Sequence, residues 1–248
     1  MGFVVSAFNL LIYQPLFNAL VLLYSYLPGH DFGIAIIFLT IIIKLLLYPL
    51  SAKSIKAQKA LQEVQPKIKE LQEKFKNDKE KQVKMIMDLY KKEKVNPFSS
   101  MLPLLVQLPI LIGLFRLFTR GFGPDGFAPE QFQWLYSFVS HPGHINTTFL
   151  GIVNLTEASL VLAVLAGALQ FFQVKMMAPK KTKSGPPDFA QMMQKQMIYF
   201  FPIFTVFILW RIIPVSALAL YWITVTVFTI CQQYITVKKY DSGKSGKN

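Results

Sequence analysis

The sequence predicts an all-α integral membrane protein of five transmembrane helices, with a cytoplasmic helical hairpin and an N-terminal interfacial amphipathic helix. Three observations carry this reading. Hydrophobic residues make up 53% of the chain and charged residues only 16%, a balance beyond that of ordinary soluble domains. Several apolar stretches approach the ~20 residues needed to cross the ~30 Å hydrocarbon core. The positive charge, finally, is segregated. Of the 26 Lys+Arg, thirteen lie in Ser51–Asn96, five in Lys175–Lys195 and four in Lys238–Lys247, leaving Lys44, Arg116, Arg120 and Arg211 elsewhere. The other polar connections carry Asp31, Asp125, Glu130 and Glu157, so positive-inside bias assigns the three lysine-rich blocks to the cytoplasm.

Residues 1–32 form the first unit. Phe8–Leu27 is apolar, with Asn9, Gln14, Asn18 and Ser25 recurring near one helical face and Pro15 interrupting it. It reads either as a span or as an amphipathic helix lying in the interface, and the proline and polar stripe favour the second. Pro28-Gly-His-Asp31 then turns the chain into the first firm span, residues 33–50. Lys44 sits deep in this span, roughly 16 Å from Gly33 at 1.5 Å per residue. An ammonium at such depth costs a few kcal/mol, so it faces protein or water rather than lipid.

Residues 51–96 are a soluble insert. Leu61, Val64, Ile68, Leu71 and Phe75 follow the 3,4 spacing of a coiled-coil seam. Pro66 would kink this helix or start a new one. Asn77-Asp78 is the turn, and Val83, Met87, Tyr90 and Lys94 mark the returning helix of a hairpin with a lysine-rich exterior.

The second span, 97–119, carries Pro103 and Pro109 and is expected to bend, as membrane helices tolerate proline where neighbours satisfy the freed carbonyls. Residues 120–158 are an extracytoplasmic connector, with Phe132, Trp134 and Tyr136 suited to an interface. His141 and His144 flank Pro-Gly with no third ligand nearby, so no metal site is predicted. The third span, 159–177, has Ala163 and Gly167 at small-xxx-small spacing. A basic Pro/Gly-rich loop over 178–196 leads to the fourth span, 197–214, the fifth, 215–236, and a basic cytoplasmic tail, 237–248. Five alternating crossings place all three lysine blocks on one side.

Within the spans, Lys44 is accompanied by Gln107, Gln170, Gln173, Tyr221, Trp222 and Thr224. Polar side chains in hydrocarbon face each other or water. Two readings stand together here. The residues are helix-to-helix glue with Lys44 snorkelling toward the interface, or they line a hydrated cavity with one fixed cation. No acid lies in the spans, against a proton relay or cation pathway. No His/Glu metal spacing, activated serine motif or phosphate loop is found, and Cys231, the one cysteine, excludes a disulfide framework. The sequence therefore predicts a non-enzyme without cofactor or metal. A lone cation in a wet groove suits brief capture of an acidic polypeptide segment.

Several segments resemble one family. They are YQPLFNALV at Tyr13–Val21, TIIIKLLLYPLS at Thr40–Ser51, QPKIKELQEKFKND at Gln65–Asp78, LYKKEKVNPFSSMLPLLVQLPILIGLF at Leu89–Phe115 and ALALYWITVTVFTICQQY at Ala217–Tyr234. Together they resemble the YidC/Oxa1/Alb3 membrane protein insertases in their short bacterial form, over nearly the whole chain from Phe8. The resemblance implies a multi-pass protein of the bacterial plasma membrane, with a groove open to cytoplasm and lipid but closed outside. It places the family's groove cation, commonly arginine, on Lys44, a groove glutamine on Gln170 or Gln173, and an aromatic of the last span on Trp222. Lysine keeps the charge but loses the planar fork that clamps a carboxylate.

The large extracytoplasmic domain of Gram-negative members and the long ribosome-binding tail of mitochondrial ones have no counterpart in this sequence. The expected partners are nascent membrane-protein clients and the bilayer, with the ribosome and a Sec translocon as further candidates and no specific nucleic acid. The expected function is insertion and chaperoning of client transmembrane segments. A non-translocating assembly scaffold is the alternative, and a channel a third.

Overall fold

Asn18 shows how the N-terminal helix is held. Its side chain is 1% exposed, donating to the carbonyls of Gln14 and Trp134 at 2.8 Å and accepting from the Tyr136 backbone N–H at 2.7 Å. In this computed structural model, which describes residues 2–100, 102–178 and 189–245, Asn18 of the first helix thus faces the connector rather than water. The helix runs from Gly2 to Tyr26, as α1 (Gly2–Phe8), a π-helical segment (Asn9–Tyr13) and α2 (Gln14–Tyr26). Pro15 does not interrupt it. Proline cannot donate to the carbonyl four residues back and its ring crowds that carbonyl. The wide turn just ahead, where the Gln14 N–H bonds Asn9 O, is the kind of local expansion that relieves such crowding.

Asp31 caps α3 (Phe32–Leu46) by accepting from the Ile34 N–H at 3.0 Å, and its other oxygen accepts from the Leu150 N–H at 2.6 Å. The expected span over 33–50 is shorter as a helix. It stops at Leu46, and after Leu47 the chain bends by 66° into α4 (Tyr48–Lys74). Pro49 sits in the first turn of α4, where its missing N–H costs nothing. α4 continues through Pro66 without a new start. α5 (Lys79–Lys92) begins at Asp78, which accepts from the Lys81 N–H. It meets α4 through Gln82, donating to Gln72 O at 2.7 Å, and the Lys67–Glu93 ion pair at 2.6 Å. The α4 seam buries Val64 and Ile68. On α5, however, Val83 and Met87 are exposed, while Gln82 is buried and Ile86 half-buried. The inward face is therefore one residue away from the apolar pattern, because a backbone carbonyl of α4 selects the glutamine.

A short 3₁₀ turn (Pro97–Ser100) leads to α6 (Leu102–Arg120). The connector is structured. It contains two small antiparallel hairpins, β1–β2 (Phe122–Gly123, Gly126–Phe127) and β3–β4 (Thr148–Phe149, Val153–Asn154), and a 3₁₀ helix at Pro129–Trp134. It buries Phe122, Phe127, Val139, Ile145 and Leu155. Phe32 stacks on Phe122 at 4.6 Å between centroids, and Phe17 meets Phe127 edge-on at 5.0 Å, geometries that favour aromatic quadrupoles.

α7 (Leu160–Met176) is capped by Ser159. α8 (Phe189–Phe207) ends in a second π segment, Ile208–Ile212. Gly167 marks the α7–α8 contact, for a Cβ added there would stand 2.4 Å from Val206 Cγ2 and 2.9 Å from Pro202 O. α9 (Ser216–Ser245) is anchored by the connector. Ser216 Oγ donates to Glu157 O at 2.5 Å, and the Ala217 N–H to Leu155 O at 3.0 Å. The expected tail over 237–248 is helical as far as Ser245. Most of the expected loop over 178–196, namely 179–188, lies outside the described residues, as do residues 246–248.

Among the described residues two helices, Gly2–Tyr26 and Ser216–Gly243, are long and apolar enough to cross a membrane, and α3 with α4 makes a third if the bent pair counts as one. Leu105–Thr119, Leu160–Met176 and Ile198–Ile212 are shorter apolar helices. The protein is thus a mostly helical membrane protein.

Candidate functional site

Packing changes character along the helices. On α3 the buried apolar residues run from Phe32 to Leu39, and the buried ones beyond are Thr40 and Lys44. On α9 they run from Ala217 to Tyr221, and those beyond are Thr226, Gln232, Gln233 and Thr236. On α6, Leu114, Leu117 and Phe118 near the connector are buried, while Leu105 and Leu108 toward the other end are exposed. The connector half of the molecule is a close-packed aromatic core. The other half buries polar groups.

Lys44 occupies the last turn of α3 and is 9% exposed. Its Nζ donates to Thr229 Oγ1 at 3.3 Å, and that hydroxyl donates onward to Val225 O at 2.7 Å. An ammonium has three N–H donors, and no carboxylate among the described residues pairs with this one. Gln107 of α6 donates its amide to the Tyr221 hydroxyl. The Trp222 indole N–H donates to Gln170 Oε1 of α7 at 3.2 Å. Thr224 is half-buried and bonds its own helix, at Leu220 O, 2.8 Å away. Gln173 is half-buried with no hydrogen-bond partner among the described residues.

Five of the seven predicted residues are therefore joined through α9, which bonds α3, α6 and α7 in turn. Gln232 extends the pattern by donating to Tyr48 O at the α3–α4 bend, 3.1 Å. Near the end of α7 and the same region of α9, a cavity of about 460 Å³ is lined by Met176, Met177, Gln233, Tyr234, Lys238 and Asp241. None of the seven predicted residues lines it. Gln233 Oε1, also buried, has no hydrogen-bond partner among the described residues, and such acceptors are ordinarily satisfied by water or a ligand.

This arrangement can be compared with known proteins. A family model described as "60Kd inner membrane protein" matches residues 22–244. The chain belongs to this family, the YidC/Oxa1 membrane protein insertases. A relative from Fusobacterium nucleatum, named membrane protein insertase YidC, is 38% identical over 209 residues, 84% of this chain and 87% of its own length. One of the same name from Clostridium tetani is 34% identical over 221 residues, 89% of this chain and 88% of the relative. Another, from Francisella tularensis subsp. novicida, is 35% identical over 212 residues, 86% of this chain but 33% of that longer protein.

Thr229 is the site residue that sequence reasoning missed. A signal for it exists: Trp222, Thr226, Thr229 and Gln233 recur at 4, 3 and 4 residues, one face of a helix. Treated as scattered polar residues, they conceal a stripe.

Proposed function

We propose that this chain inserts client transmembrane segments from the cytoplasm into the bilayer through a hydrophilic groove carrying one positive charge, Lys44, and shelters clients there as a membrane chaperone. The reading rests on the change from apolar to polar burial along α3 and α9, at a depth where α3 bears a cation with no carboxylate partner among the described residues. In this reading α3, α6, α7, α8 and α9 cross the membrane. The lysine-rich α4–α5 hairpin and the C-terminal end lie in the cytoplasm, and the N-terminal helix lies at the outer face. α3 is about 22 Å long at 1.5 Å per residue, less than the ~30 Å hydrocarbon core, so the bilayer thins locally to meet it.

The groove shortens the hydrocarbon path that a polar client tail must cross. Lys44 attracts acidic residues of that tail, and its two uncommitted N–H groups are available to a carboxylate. The client's apolar helix then partitions into lipid, at ~0.8 kcal/mol for each CH₂ removed from water, which drives release without nucleotide hydrolysis. Clients are nascent membrane proteins, and the ribosome and a Sec translocon are candidate suppliers.

Reconstitution of the purified chain into liposomes with one single-span client tests this. Protease-protected client tail is the expected result. Client that binds but stays fully digestible would make the protein a scaffold. Ion flux without client would make it a channel.

A further inference from the structure

Arg116 is a cation that the groove does not use. It lies on α6 three residues beyond Gly113, on the same face. A Cβ added at Gly113 would stand 2.9 Å from Leu16 Cδ1 and 3.2 Å from Ile12 Cγ2, so α6 rests directly on the N-terminal helix at its π segment. The wider π turn brings Asn9 and Tyr13 to one side. With Arg116, Gln131 and Trp134 they line a recess of about 100 Å³.

The guanidinium carbon lies 5.6 Å from the Phe8 ring centroid and 5.7 Å from that of Tyr13. Nη1 donates to Asn9 Oδ1 at 2.9 Å, and the Tyr13 hydroxyl donates to Gln131 Oε1. These contacts occupy one acceptor position on each of Asn9 and Gln131, and each side chain also carries an amide N–H₂ donor. The Trp134 indole is a donor only. Arg116 has five N–H donors, and no carboxylate among the described residues pairs with it. A recess lined by a planar cation and by three residues that carry N–H donors is complementary to an oxyanion. Its volume admits one compact group of that kind.

The surroundings identify the source. Phe3, Val4, Leu10 and Leu11 of the same helix are exposed, and an apolar helix face beside a fixed cation is the arrangement of a surface that meets acyl chains and phosphates together. We propose that Arg116, with Asn9, Gln131 and Trp134, binds the phosphate of an anionic phospholipid and so docks the N-terminal helix onto the membrane. The site is separate from Lys44, and its test does not depend on insertion.

Native mass spectrometry of the full chain released from detergent tests the site. The probes are phosphatidylglycerol, diacylglycerol with the same acyl chains, soluble glycerol phosphate and an acidic peptide. Phosphatidylglycerol is expected to bind, with affinity lowered at least tenfold by Arg116→Gln and severalfold by Trp134→Phe, which keeps an aromatic side chain but loses the pyrrole ring and its N–H. Arg116→Lys, keeping charge without the fork, falls between. Unchanged affinity in Arg116→Gln would overturn the proposal, as would equal binding of diacylglycerol. Displacement by glycerol phosphate at concentrations matching the lipid would make the ligand free phosphate. Displacement by the acidic peptide alone would make it a polypeptide carboxylate. If Arg116→Gln does not fold, unchanged affinity in both Arg116→Lys and Trp134→Phe serves as the overturning result.

Discussion

Lys44 and Asn18 illustrate two fates of a polar side chain inside a membrane protein. Asn18 is satisfied on both its oxygen and its nitrogen by backbone groups of Gln14, Trp134 and Tyr136, and it serves structure. Among the described residues Lys44 has a single neutral acceptor, Thr229, at 3.3 Å, and no carboxylate pairs with its charge. Charge-assisted hydrogen bonds contribute about 1.5–3 kcal/mol, so removing one changes capture of an anionic group by about tenfold or more. For a client with an acidic tail, Lys44→Arg is expected to retain insertion, and Lys44→Ala to lower its rate about tenfold. Lys44→Glu should abolish it and should be rescued by a basic tail, whose attraction has the sign reversed. Insertion rates measured in liposomes decide this. An acidic-tailed client inserted normally by Lys44→Glu would remove the electrostatic role.

At the scale of elements, α9 is the hub. It receives Lys44 from α3, Gln107 from α6 and Gln170 from α7 through Thr229, Tyr221 and Trp222, so one helix sets the spacing of three others. The α7–α8 pair is held differently, by close approach at Gly167. A leucine there meets Val206 Cγ2 and the Pro202 carbonyl, of which the carbonyl belongs to backbone that cannot turn aside. Overpacking of this kind costs about 1–3 kcal/mol. Gly167→Leu is therefore expected to lower the melting temperature in detergent by several degrees. The same change at Gly243, where an added Cβ meets nothing within 4 Å, should leave it unchanged. Equal melting temperatures for the two variants would mean that the helices separate freely at Gly167.

Across the whole molecule the two ends differ. Phe17, Phe32, Phe118, Phe122 and Phe127 close the connector end, while toward Lys44 the buried residues of α3 and α9 are polar. The proposed groove, wet from one side, rests on this asymmetry. Single substitutions Lys44→Cys, Gln107→Cys, Gln173→Cys and Thr224→Cys, each with Cys231→Ser because Cys231 is exposed, are expected to react with a charged, impermeant thiol reagent from the cytoplasmic side only. Modification from both sides would indicate a pore. Modification from neither would make these residues buried glue and Lys44 a snorkelling anchor.

The sequence by itself determined the membrane class and the helical content. These follow from hydropathy and charge placement, each local along the chain. Only the tertiary structure decided that Asn18 of the N-terminal helix faces the connector, and that α5 turns Gln82 inward in place of Val83. It also paired Lys44 with Thr229, 185 residues away. The physical reason is the same in each case. A hydrogen-bonding side chain commits to whichever unsatisfied partner the fold brings within about 3 Å, and the partner's position depends on how distant segments pack. Periodicity reports the face on which a residue lies, and packing determines what that face meets.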